Sequence, residues 1–147
     1  MVKGNIWLQA NAEQLGINPE HIQPASVDLC LGMPSAPSSG MMIKDGKLIL
    51  SPGIVHHLPT VESINMPADC AAQMKLKSSK ARAGLNMSGG WVDPGFRGNL
   101  TAAVTVTYQT ELTIGQPFLQ LVFYQVDAVD IIYDGKYQDS VGAVGER

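Results

Sequence analysis

Residues 99–108 read Asn-Leu-Thr-Ala-Ala-Val-Thr-Val-Thr-Tyr. Leu100, Ala102, Val104, Val106 and Tyr108 fall on one side of an extended chain and Thr101, Ala103, Thr105 and Thr107 on the other, the period-2 pattern of a strand with one buried face. Outward from this stretch the punctuation remains that of strands. Phe118–Val126 and Ala128–Tyr133 are β-branched and aromatic runs, and Ser26–Leu31, Ile54–Thr60 and Ala71–Lys77 are further strand candidates. Met41–Leu50 is expected to fold back on itself at Asp45-Gly46, because this pair tolerates the positive φ that a two-residue hairpin turn requires. Residues 33–40, rich in Pro and Ser, form a loop. Val2–Leu15 has helical potential, but its apolar spacing is poor and Gly16 and Pro19 stop it, so no helix of ordinary length is expected. Eight or so short strands with turn signals about every ten residues predict an all-β sandwich, jelly roll or barrel.

The 147 residues amount to one domain, and 45% are apolar, enough for a core. A net charge of −3 with no basic run argues against a nucleic-acid partner. The chain has no long apolar run and Met1–Ala10 lacks a leader's layout, so a soluble cytoplasmic protein (of a cell or a virus-infected host) with no membrane partner is expected. Cys30 and Cys70 form no CxxC pair and are expected to be reduced thiols. Residues 1–133 read as the β domain. Residues 134–147, with three glycines and few large apolar side chains, read as a flexible tail: a frayed end by composition, or a lid that orders over a ligand.

Metal and covalent chemistry find little support. His56 and His57 are adjacent and would point to opposite faces of a strand, and the H-x-E and P-C-x-x-C segments of a zinc deaminase are absent. Nothing groups a Cys or Ser with a base at a recognisable spacing. The informative stretch is residues 74–98, MKLKSSKARAGLNMSGGWVDPGFRG. Ser78 and Ser79 are expected to cap a short helical turn carrying Lys80 and Arg82, and such a turn with Lys77 beside it suits anionic oxygens. Asp93-Pro94-Gly95 is a turn, flanked by further glycines that leave room for close approach.

Together these segments resemble the dCTP deaminase and dUTPase superfamily. Ser78-Ser79-Lys80-Ala81-Arg82 is similar to its serine-rich phosphate segment, and Asp93-Pro94-Gly95-Phe96-Arg97-Gly98-Asn99-Leu100-Thr101 to its D-P-G-[FW]-x-G-N-[IL]-T segment. Ile22–Leu29 resembles the early I-Q-P-A-S-x-D-L motif, Gln120–Phe123 the Q-L-V-F strand, and Lys136-Tyr137-Gln138 the start of a glycine-rich closing tail. The resemblance implies a distorted β-barrel or jelly roll, assembled as a homotrimer with shared sites. The aromatic area of Tyr108, Phe118, Phe123 and Tyr124 points the same way, since a lone small domain is not expected to conceal it. It also implies that Lys77, Ser78, Ser79, Arg82 and Gln120 bind a triphosphate and that Phe96 packs under the deoxyribose. Asp93 would be the catalytic carboxylate at the sugar and α-phosphate. The strand Asn99, Thr101, Ala102 and Ala103 would read the pyrimidine through its backbone, with Tyr133 at the end of the β domain and Lys136 and Gln138 of the tail contributing. Magnesium would be held through the substrate phosphates, with no direct protein ligand.

One departure decides the expected reaction. Where family deaminases carry a proton-shuttling glutamate, this chain has Ala103, and a methyl group transfers no proton. The short interval from Arg82 to Asp93 also resembles the deaminase-like dUTPases. The expectation is therefore a magnesium-dependent dUTPase releasing dUMP and pyrophosphate. A dCTP deaminase with a displaced acid/base, with or without dUTPase activity, stands as the alternative, beside a non-catalytic nucleotide-binding relative.

Overall fold

The computed structural model describes residues 1–145; the tail's last two residues, Glu146 and Arg147, lie outside the described residues. The strands are β1 (Ile22–Gln23), β2 (Ser26–Cys30), β3 (Met41–Lys44), β4 (Lys47–Leu50), β5 (His56–Asn65) and β6 (Cys70–Leu76), followed by β7 (Leu85–Met87), β8 (Trp91–Val92), β9 (Arg97–Val106), β10 (Thr110–Thr113) and β11 (Pro117–Gln125). They form three sheets, ordered β1-β2-β11-β6-β8, β10-β4-β3 and β5-β9-β7, so the fold is mostly β but the sheets do not close into a barrel. Leu29, Leu58, Val104, Phe118, Leu121 and Phe123 are among the side chains fully buried between them.

The alternation in β9 is realised: Leu100, Ala102, Val104 and Val106 are buried while Ala103 is exposed and Thr101 and Thr105 half-buried. Tyr108 leaves this face because the strand ends at Val106, and it stands 57% exposed. Asp45 and Gly46 both take positive φ, 50° and 72°, and close the β3–β4 hairpin as a two-residue turn.

Three expectations are corrected. A helix of ordinary length does form, α1 (Asn5–Leu15): Leu8, Ala12 and Leu15 bury one narrow stripe, and Gly16 caps the end in the left-handed region, its N–H donating to Ala12 and Glu13 carbonyls. A narrow stripe of three residues gives a weak periodic signal, and tertiary burial supplies the rest. Ala128–Tyr133 is not a strand; no neighbouring strand offers it a ladder, and Ile131 and Ile132 stand exposed. Phe118 and Phe123 are buried within the chain itself, so they supply no aromatic area for assembly.

The tail packs along β9. Asn99 N–H donates to Ser140 O, Asp139 N–H to Arg97 O and Val144 N–H to Thr101 Oγ1. Gln138 clasps the turn before β9, accepting from Arg97 N–H at 2.7 Å and donating to the carbonyls of Gly95 and Tyr133. The Arg97 guanidinium donates twice to Asp139, and that hydrogen-bonded carboxylate raises its pKa. The contact is possible because Gly98, at φ 137°, has no Cβ; one there would lie 2.7 Å from both Ser140 N and O.

Two glycine substitutions separate backbone strain from this docking. Gly46→Ala meets nothing within 4 Å and should cost only the left-handed backbone penalty, about 1 kcal/mol in urea unfolding. Gly98→Ala should in addition lift the tail, read as new protease cleavage within residues 133–145. Equal cleavage of the two variants would contradict the docking described.

Candidate active site

A cavity of about 360 Å³ opens beside β9. Its wall is built from the turn into β9, the strand itself, the facing strand β5, Met74 of β6, Trp91 and Val92 of β8, and the tail. Asp93, Pro94, Gly95 and Phe96 form that turn: Phe96 N–H donates to Asp93 O, Pro94 occupies the second position, and Gly95 takes φ 84°. This leaves the Asp93 carboxylate exposed at the cavity and turns the Phe96 ring inward, where Tyr133 meets it edge-on at 5.6 Å between centroids. Asn99, Thr101 and Ala103 follow along the strand. The Asn99 side chain is fully engaged, donating to Thr60 and Glu62 carbonyls and accepting from Gly142 N–H, and Thr101 Oγ1 accepts from Val144 N–H. Ala102 points the other way, into the core.

The tail forms the cover. Tyr137, Ser140, Val144 and Gly145 line the cavity, and Tyr133 Oη accepts the Tyr137 N–H at 3.1 Å. Lys136 lies outside the lining, its ammonium 5.3 Å from the centre of the Tyr137 ring. Gln138 is likewise outside, spent on the clasp described above.

The residues expected at a triphosphate are placed elsewhere. Lys77, Ser78, Ser79, Arg82 and Gln120 are absent from the cavity lining, so one chain does not bring the two halves of the expected site together there. Ser78 and Ser79 occupy the first turn of α2 (Ser78–Arg82) rather than capping it; the cap position is Lys77, which has no side-chain capping bond. Both serines and Arg82 are exposed. Lys77 is committed to an ion pair with the buried Asp28, which lies opposite Gln120 in the β2–β11 ladder.

Two features escaped the sequence reading. His21 Nδ1, Cys30 Sγ and a Glu62 carboxylate oxygen lie within 4.8 Å of one another, remote in sequence and joined by the fold. Glu62 there accepts the Cys30 N–H, and burial together with that carboxylate pushes the Cys30 thiol up to about 11. The second is His57. It lines the cavity and lies directly opposite Ala103 in the β5–β9 ladder, while His56 faces the core, its ring hydrogen-bonded to Ser38 Oγ and Ser51 O. The opposite facing of the two histidines follows from strand alternation; the pairing with Ala103 needed the register, which no local signal reveals.

Comparison with known proteins bears on the expected reaction. A family model described as dCTP deaminase-like matches residues 36–126. A protein of Pyrococcus horikoshii named dCTP deaminase is 38% identical over 131 residues, covering 85% of this chain and 83% of that one. A protein of Methanoculleus marisnigri named dCTP deaminase, dUMP-forming, is 37% identical and covers 72% of this chain and 60% of its own. Among solved structures, the 2′-deoxycytidine 5′-triphosphate deaminase of Agrobacterium tumefaciens superposes with a TM-score of 0.68 at 20% identity, over 83% of this chain but only 48% of that longer one. These names overturn the preference for a plain dUTPase. That preference rested on Ala103 and the short Arg82–Asp93 interval, whereas the cavity draws its lining from β5, β6, β8, β9 and the tail. The matched model spans more than half of the sequence, and the chain belongs to the dCTP deaminase-like family.

Proposed function

We propose that this chain is a dCTP deaminase, converting dCTP and water to dUTP and ammonia. The observation that carries the reading is the cavity itself, a chamber of about 360 Å³ with an aromatic floor, one carboxylate and a covering tail, the size range of small-molecule sites. Relatives of 35–38% identity that carry the dCTP deaminase name support the substrate class.

In this reading the pyrimidine lies along Asn99–Ala103, where backbone groups of β9 read its edge. Phe96 packs under the deoxyribose, and Asp93 accepts a hydrogen bond from the sugar hydroxyl, so its role is positioning rather than hydrolysis. The tail excludes water once the base is seated, which strengthens every polar contact inside. The triphosphate is held by Ser78, Ser79, Arg82 and Gln120 of a second copy of the chain, since these residues lie off the cavity of their own copy. Arg82 matches phosphate oxygens with two donors at once. Lys77 reaches the phosphate only by leaving Asp28. A homotrimer with shared sites accommodates this arrangement, and the exposed Trp91, Ile131, Ile132 and Val141 supply apolar surface for it.

Magnesium fits this site in one way. Among the described lining residues Asp93 is the one carboxylate, too few for an all-protein cage, so the ion would be held through the triphosphate oxygens. When bound it screens their charge.

The decisive assay supplies dCTP with Mg²⁺ and measures ammonia and the nucleotide product. Ammonia in step with a deoxyuridine nucleotide is expected, and dCTP left intact would overturn the reading. Asp93→Asn should raise the KM for dCTP about tenfold or more, the loss of one charge-assisted hydrogen bond; an unchanged KM would remove Asp93 from the sugar.

The assembly is tested separately by light scattering. A mass near three times 15.7 kDa is expected. A monomer that turns over dCTP would contradict the shared site.

A further inference from the structure

We infer that His57 performs the proton transfers of the deamination, in the place left without an acid or base at Ala103. The inference rests on the deaminase reading above. His57 and Ala103 are Cα partners in the antiparallel β5–β9 ladder, so their side chains leave the sheet on the same face with Cβ atoms about 5 Å apart. Both line the cavity. A side chain longer than a methyl group at either position therefore reaches the same space.

The other polar groups of the cavity are spoken for or unsuited. Thr101 Oγ1 accepts from the tail, and Tyr133 Oη accepts from Tyr137 N–H. Hydroxyls of threonine and tyrosine are poor proton carriers near neutrality, where imidazole is the side chain adapted to the task. Asp93 belongs to the turn before β9, whereas the His57–Ala103 pair lies further along the strand. Among the described residues, nothing hydrogen-bonds the His57 ring, in contrast to His56, both of whose ring nitrogens are engaged. The tail closes beside it: a Cβ at Gly145 would lie 3.9 Å from His57 Cε1.

The step balances without a metal or redox partner. Water adds to C4 of the cytosine ring as His57 takes its proton and passes it to N3, giving a tetrahedral carbon bearing hydroxyl and amino groups. His57 then removes the hydroxyl proton and delivers it to the amino group. The C4–N bond breaks, ammonia leaves, and C4 becomes a carbonyl. The product is the uracil ring with hydrogen on N3, and the imidazole ends as it began.

The test compares the unaltered chain with His57→Gln, His57→Asn and the double variant His57→Gln/Ala103→Glu, measuring single-turnover ammonia release from dCTP and the Kd for dCTP. Both amides keep the half-buried strand position polar without adding volume. The single variants should lose 10²-fold or more in rate, the usual worth of acid–base help, with Kd changed by less than about threefold. The double variant should recover at least tenfold, because the glutamate enters the same space from the facing strand. Near-normal rates in both single variants would overturn the role of His57. So would a loss of rate matched by a loss of binding, the mark of a residue that only shapes the pocket. An unaltered chain that binds dCTP and releases no ammonia would instead overturn the deaminase reading, and the inference with it.

Discussion

The ladder between β5 and β9 pairs the two longest strands of the fold and carries most of what the site requires. One face of β9 buries Leu100, Ala102, Val104 and Val106 in the core, which fixes the register, because a slip of one residue would expose all four. The ladder is interrupted once, between Pro59 and Ser63, and side chains pin the interruption. Thr60 Oγ1 accepts from Leu100 N–H and donates to Glu62 O, and the Asn99 amide donates to Thr60 and Glu62 carbonyls. With the register set, His57 faces Ala103, Thr101 presents its hydroxyl to the tail, and Gly98 admits Ser140. The cavity is thus a consequence of strand pairing, and its cover is attached to a strand of its wall.

The position of the segment proposed to hold the phosphates follows from a different sheet. β6 runs out at Leu76, Lys77 N–H is tied to Phe118 O on β11, and α2 then carries Ser78, Ser79 and Arg82 into solvent. A site divided between two sheets of one chain is completed most directly by a neighbouring copy that presents its α2 to the cavity. In the proposed reading such a division couples assembly to activity, each copy supplying one half of the nucleotide's contacts.

Much of this was legible in the residues. Alternation in Asn99–Val106 and the Asp45-Gly46 pair are strong local signals, because backbone sterics and one-sided burial act over a few residues only. The Asp93-Pro94-Gly95 turn was equally plain. What failed depended on distant partners. The α1 stripe is narrow, and its helix ends against Ser63, where a Cβ on Gly16 would lie 2.1 Å from the carbonyl oxygen. Ala128–Tyr133 has strand-like composition, but Tyr133 N–H is taken by Pro94 O, in a turn rather than a ladder. The tail's composition reads as unstructured because its anchors are hydrogen bonds and an ion pair to β9 and the turn before it rather than a core of its own. The preference for hydrolysis weighed only local features, the missing glutamate at Ala103 and the short Arg82–Asp93 interval, without the residue that register places opposite Ala103.

The most direct measurement of the central claim is a crystal structure of the chain with dCTP bound. The account predicts the cytosine ring along Asn99–Ala103 with C4 directed between His57 and Ala103, and the triphosphate on Ser78, Ser79 and Arg82 of a neighbouring copy. A nucleotide bound with its base away from His57, or held entirely by one chain, would contradict it.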